Sequence, residues 1–231
     1  MRVVRGRGAD PESDAQVTAG LLERTKATGE PGLRVWRPHR QVTFGRRDAR
    51  SDGYQRAREI AAEHGFQAIE RQVGGRAVAY SGTTIAFGLA RPVADIRRGI
   101  EARYEATTMA VQRALWRLGV PVQRGEPPAS FCPGNHALQW RGKLAGFAQR
   151  VQQGAAIVGG IVIVRDHEAI AGVLEPVYEA LEVPFDPDTV GSIERAGGTD
   201  DPDAVRTGIE EALIGDDETT IESVDGSNGE P

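Results

Sequence analysis

Apolar and polar positions change period several times along the chain. Leu33-Arg34-Val35-Trp36 alternates at period two and predicts a strand closed by Pro38, and residues 41–45 predict a second short strand. Before them, Val17, Leu21 and Leu22 share one face of a helix expected over 15–27, with Asp14 as its N-cap and Gly29-Glu30-Pro31-Gly32 as its stop. The basic residues 1–13 read as a lead-in and a turn. Residues 54–64 predict a helix ending at Gly65, a residue suited to the left-handed position after a helix. Strands are expected at 67–71 and 83–90, and a long helix within 92–118 carries Ile100, Tyr104, Met109, Val111, Leu115 and Leu118 as its apolar positions. After a short strand at 120–123, residues 136–140 and 143–151 predict a hairpin around Arg141-Gly142, because glycine supplies the positive φ such a turn needs. Residues 155–164, with VGGIVIV at their centre, predict a buried strand. Two short helices (167–173 and 175–182), a Pro-Asp linker at 184–188 and a helix near 203–214 follow.

Strands outnumber helices in the middle, and hairpins mix with crossovers. The expected fold is therefore α/β (α+β), a mixed and mostly antiparallel sheet with flanking helices. The organisation expected is a main domain over 14–182, a helical extension over 183–214 and an acidic, disordered tail over 215–231.

Charge changes this picture more than composition does. The chain of 231 residues has net charge −5, but residues 1–165 carry +12 and residues 166–231 carry −17. An acidic tail is first of all a solvated one; an arginine-rich body would also attract an acidic protein partner. Nothing here points to nucleic acid. One cysteine forms no internal disulfide, and no apolar run approaches the ~18 residues of a membrane helix, so a soluble cytoplasmic protein is expected.

Of the 28 Lys and Arg residues only Lys26 and Lys143 are lysine, and Cys132 is the sole cysteine. Cys132 and Lys143 lie in one stretch, SFCPGNHALQWRGKLAGFAQR. A lone cysteine is most often a small buried hydrophobe, and a lone lysine is most often solvated. Together they suggest acyl chemistry. A thiolate is a strong nucleophile that a nearby cation stabilises, and the same cation can hydrogen-bond an acyl oxygen as charge develops on it. Gly74 and Gly75, in a stretch read as a strand to Tyr80, would let an extended ligand lie against backbone, or would mark a bulge. No phosphate-cradling G-x-x-x-x-G-K-[ST] loop is present, and the four dispersed histidines offer no metal site.

These stretches resemble a family. Arg71-x-x-Gly74-Gly75-Arg76-Ala77-Val78 is similar to the R-x-[ST]-G-G-x-A-V strand of the biotin/lipoate protein ligases and octanoyltransferases. Residues Gly142-Lys143-Leu144-Ala145-Gly146-Phe147-Ala148-Gln149-Arg150 resemble that family's G-[RK]-K-x-[AS]-G-x-[AS]-Q-R segment. Ser130-Phe131-Cys132-Pro133-Gly134 is similar to the S-F-C-P-G of one branch, the octanoyl-carrier amidotransferases. The resemblance spans roughly 14–182 and implies a class II synthetase-like catalytic domain. It also implies that Cys132 carries the acyl group as a thioester and that Lys143 contacts the acyl carbonyl. Arg71, Gly74, Gly75, Arg76, Ala77, Tyr80, Gly146 and Ala148 would line the substrate site. The carriers implied are the glycine cleavage H protein and the E2 lipoyl domain of 2-oxoacid dehydrogenases, with octanoate or lipoate as the acyl group. No cofactor is required for transfer; ATP and Mg enter only in a ligase.

The chain departs from the pattern at Glu70, often a second arginine; at Val73, often Ser or Thr; and at Tyr80, often histidine in ligases. Three readings follow: an acyltransferase working through Cys132, an ATP-dependent lipoate–protein ligase with or without an accessory subunit, and a non-catalytic binder of lipoylated or biotinylated carriers. His136 is a candidate proton donor to a leaving amine, although it reads first as a strand residue. In a plain hairpin Cys132 lies well over ~10 Å from Lys143, so the Pro133-Gly134 bend must fold it back.

Overall fold

The computed structural model describes residues 1–71 and 74–224. In chain order it contains β1 (Arg2–Arg5), α1 (Pro11–Thr28), β2 (Gly32–Trp36), β3 (Gln41–Phe44), α2 (Tyr54–Glu63), β4 (Gln67–Glu70), β5 (Val78–Tyr80), β6 (Ile85–Val93), α3 (Ile100–Arg117), β7 (Gln123–Arg124), β8 (Ala137–Gln139), β9 (Lys143–Gln152), β10 (Gly154–Val162), α4 (His167–Ala180), α5 (Pro202–Ile214) and β11 (Thr220–Ser223). An eight-stranded sheet runs β11-β1-β2-β6-β10-β9-β8-β7, and a three-stranded sheet runs β4-β3-β5. The large sheet is antiparallel except where β1 pairs in parallel with β2 and β11. The mixed, mostly antiparallel sheet with flanking helices is therefore what the chain forms.

Two cores divide the molecule. Helices α3 and α5 cover one face of the large sheet, where Val111 and Leu115 meet Val205, Ile209 and Leu213 over Val35, Phe87 and Val162. The second core joins the small sheet, α2 and α4 through Val42, Phe44, Phe66, Val173, Leu174 and Tyr178, and reaches the large sheet at Ile161 and Ile163. The candidate site lies at the seam between the two.

Several expectations are corrected. The helix N-cap is Asp10, whose side chain accepts from the Ser13 N–H, and Pro11 is the first helical residue. Asp14 is one turn inside, 4% exposed, and pairs with the fully buried Arg34. Arg34 also lies 4.3 Å over the Trp36 ring. Burial holds its guanidinium below the ordinary value, against the opposing pull of Asp14. Asp14→Ala would strand that cation, and we expect a loss of about 3–5 kcal/mol in chemical denaturation; a loss under ~1 kcal/mol would mean that water replaces the carboxylate.

The lead-in contains a strand, β1, which the reading of 1–13 missed. β6 continues to Val93, so the long helix starts only at Ile100. The two short helices are one, α4, with Pro176 inside it. The extension over 183–214 is no appendage, because α5 supplies part of the main core. Within the segment expected to be a disordered tail, 220–223 form the edge strand β11, in register with β1. Residues 225–231 lie outside the described residues, as does Val73. No described helix is long and apolar enough to cross a membrane.

Candidate active site

The hairpin β8–β9 turns at Arg141 and Gly142, both at positive φ (52° and 118°), and aims Lys143 inward at the start of β9. Its side chain is 2% exposed, so an ordinary solvated lysine is excluded. The ammonium donates to Glu126 Oε1 and Oε2 at 2.7 and 2.9 Å, to the Phe131 carbonyl at 3.0 Å and to the Cys132 carbonyl at 3.1 Å. It also stands 4.9 Å over the Phe131 ring. The loop between β7 and β8 thus folds back over the sheet, and Cys132 and Lys143 meet despite their separation along the hairpin.

Cys132 itself is in the left-handed region, at φ 41°. Such a conformation costs a residue with a Cβ about 1–3 kcal/mol and persists where the surroundings over-determine it. Here they do. The Cys132 N–H donates to the Tyr178 hydroxyl at 2.6 Å, which in turn donates to the Ala77 carbonyl at 2.9 Å, while the Cys132 carbonyl is held by Lys143. Tyr178 is buried in α4, and burial pushes its hydroxyl far above the ordinary phenol value, so it stays a neutral donor.

The thiol faces the double-glycine loop. The Arg76 N–H points at Sγ from 3.4 Å and the Arg71 guanidinium lies 3.7 Å from it. Arg71 is aimed by two further bonds, to Thr43 Oγ1 at 3.0 Å and to the Arg76 carbonyl at 2.6 Å. The Arg76 side chain turns to the buried Asp48, 3.1 Å away. The cation next to sulfur is thus Arg71, whereas Lys143 grips the backbone of the same residue.

Of the expected lining residues, Gly75 is the most constrained. It has φ 94°, and a Cβ there would sit 2.9 Å from Cys132 Sγ and 2.8 Å from Arg71 Nη2. If the chain transfers acyl groups as the resemblance implies, Gly75→Ala should cut that transfer at least about tenfold, since Cys132 and Arg71 must both shift; a wild-type rate in a single-turnover assay would show that the loop relaxes freely. A Cβ on Gly74 would meet nothing within 4 Å, and Ala77 is fully buried and contributes its carbonyl. Gly74–Ala77 precede β5 as loop, not strand. Tyr80 is half-buried; burial pushes its hydroxyl up and the Arg71 guanidinium opposes this.

Gly146 and Ala148 belong to a patch of small residues interrupted by Ile161. Ala86, Ile161 and Gly146 form one row across β6, β10 and β9, and Gly88, Gly159 and Ala148 form the next. Directly paired residues and their i+2 neighbours share a face, so this patch is one bed. A Cβ on Gly146 would lie 3.2 Å from Lys143 Cε, which puts the bed beside the ammonium. The bed crosses two inter-strand spacings, about 10 Å. His136, by contrast, stacks on Tyr104 at 3.9 Å and lies 3.7 Å from Glu101, so its ring is engaged on α3.

Residues 10–213 match the family model described as the lipoyl protein ligase A/B catalytic domain. The chain belongs to that family. It is 32% identical over 136 residues to an octanoyl-[GcvH]:protein N-octanoyltransferase of Exiguobacterium sibiricum, covering 57% of this chain and 48% of that protein. The Bacillus velezensis protein of the same name is 30% identical over 165 residues, covering 68% and 57%. The chain thus spans about half the length of the curated relatives it matches. A solved lipoate-protein ligase A with bound ATP superposes at TM-score 0.74 and 19% identity, covering 92% of this chain and 83% of that one. A lipoic-acid-bound putative lipoate protein ligase of T. acidophilum gives 0.72 and 17%, covering 96% and 87%. These two establish the fold, the class II synthetase-like one expected.

Glu126, Tyr178, Thr43 and Asp48 were not singled out from the sequence. No local signal marks them; Glu126 sits in a Gly-Glu-Pro-Pro turn that reads only as a connection.

Proposed function

We propose that the chain is an acyltransferase that moves an octanoyl or lipoyl group onto a lysine of a lipoyl-carrier protein through a thioester on Cys132. The observation that carries this is the convergence of the Arg76 N–H and the Arg71 guanidinium on a half-exposed thiol held in a strained, doubly clamped backbone. Those donors favour negative charge on sulfur. The bed beside Lys143, glycine and alanine apart from Ile161, would give the acyl chain an apolar floor.

Thiolate attack on the acyl carbonyl forms the S–C bond. Collapse of the tetrahedral adduct breaks the bond to the departing group, which takes the proton that the thiol gave up. The acceptor lysine then attacks the thioester and returns a proton to sulfur. In this reading Lys143 would donate to the acyl oxygen as it gains charge, and so orient that carbonyl.

The relatives' names support an octanoyl-bearing glycine cleavage H protein as one carrier; an E2 lipoyl domain is the second carrier of this reading, and a thioester route calls for no cofactor. Arg46, Arg47 and Arg50 are exposed just beyond Gly45, where a Cβ would overlap the Gly75 carbonyl. Beside the thiol they form a cationic rim suited to an acidic carrier. The single cysteine fits a reducing, cytoplasmic setting.

The ATP-dependent ligase is the second reading, favoured by the fold it shares with solved ligases. One experiment separates the two. The protein is incubated with octanoylated carrier without ATP and, separately, with free octanoate, unmodified carrier and ATP, and its intact mass is measured before and after hydroxylamine. A labile octanoyl adduct is expected. Carrier modification that requires ATP and leaves no adduct would establish the ligase, and carrier binding with neither would leave only a binder.

A further inference from the structure

We propose that Glu126 is a positioning residue for acyl transfer, acting through Lys143; this assignment rests on the transfer reading above. Glu126 ties three parts of the site together. Its carboxylate takes the Lys143 ammonium on both oxygens, at 2.7 and 2.9 Å, and it also accepts the Ser130 hydroxyl, two residues before the nucleophile. One side chain therefore sets both the buried cation and the start of the loop that presents Cys132.

The count of donors makes Glu126 more than a brace. An ammonium has three N–H donors, and here it meets four acceptors: two carboxylate oxygens and the carbonyls of Phe131 and Cys132. An acyl oxygen enters this shell only by replacing one of them. Releasing a backbone carbonyl would leave a buried acceptor unpaired and loosen the strained Cys132. Releasing one of the two Glu126 oxygens does neither, because the other keeps the ion pair. Glu126, 19% exposed and at the edge of the pocket, is the partner that can turn. In the free protein it holds the ammonium aimed. On attack it cedes one N–H to the oxygen on which charge develops, and it takes it back when the tetrahedral adduct collapses. It neither gains nor loses a proton overall: the S–C bond forms, the C–N bond of the donor amide breaks with its electron pair on nitrogen, and the proton from the thiol leaves on the amine.

Glu126→Gln keeps a carbonyl acceptor for Lys143 and Ser130 but removes the charge, whereas Glu126→Asp keeps the charge at a shorter reach. Single-turnover acylation of Cys132 by octanoylated carrier is followed by intact mass, per folded protein, with carrier concentration varied and the melting temperature recorded. For Glu126→Gln we expect the saturating acylation rate to fall at least about tenfold with half-saturation changed less than about twofold. Glu126→Asp should recover a substantial part of that rate. A Glu126→Gln protein that acylates at the wild-type rate, or a loss shared equally by Glu126→Asp and accounted for by unfolding, overturns the assignment and leaves the transfer reading standing. Absence of any adduct on the wild-type protein would sink both.

Discussion

Cys132→Ala is expected to lose acyl transfer by roughly a thousandfold or more, together with every hydroxylamine-labile adduct. The thiol is the proposed nucleophile, with the Arg76 N–H and the Arg71 guanidinium both aimed at its sulfur. Removing it leaves the clamps intact, because Tyr178 and Lys143 hold the backbone of residue 132 and not its side chain. The variant should therefore fold and melt within a few degrees of the parent. Stability thus separates chemistry from structure in this test. Retained carrier modification by Cys132→Ala with ATP would move the assignment to a ligase, in which the sulfur is dispensable.

Lys143→Ala should fail on both counts. It removes the counter-charge of Glu126 and a donor to the Phe131 and Cys132 carbonyls. Breaking a buried ion pair by deleting one partner costs about 3–5 kcal/mol. With 19% of the Glu126 side chain exposed, water offsets part of this, and about 2–4 kcal/mol is expected, a fall of roughly 5–15 °C in melting temperature. Acylation should fall by at least about a hundredfold beyond the unfolded fraction. The double variant Lys143→Met, Glu126→Gln tests the partition, since it removes both charges at similar volume. Recovered stability with activity still absent is expected. Recovered activity would show that Lys143 serves only the fold.

The order in which the elements became legible follows the range of the forces that make them. Strands β2, β3, β9 and β10 and helix α2 follow from local period and turn residues, as does the β8–β9 turn at Arg141-Gly142. The N-terminal strand β1 has only Val3 and Val4 between arginines, and its pairing to β11 joins the two ends of the chain. β11 is the edge strand and pairs only with β1, while β1 also needs β2, so neither is legible from its own four residues. A proline at 176 opposes a single helix over 167–180, because proline removes a hydrogen bond and clashes with the preceding turn, at about 3 kcal/mol. Ile170, Val173, Leu174, Val177 and Tyr178 are all buried along one face of α4, and that packing outweighs the proline.

The candidate site divides in the same way. Cys132, Lys143, Arg71 and the two glycines were picked out by residue type and motif, but the division of labour between the cations was not. Lysine at 143 was expected to steady the thiolate; the fold gives that place to Arg71 and sets Lys143 on the backbone beneath. By itself, then, the sequence determined the family, the sheet-rich core and which residues are candidates for the reactive pair, because these rest on residue identity and short-range period. Tertiary structure alone decided that residues 71, 76, 126, 132, 143 and 178 share one pocket. Their distances depend on how a loop folds back over a sheet, and chain order does not encode that.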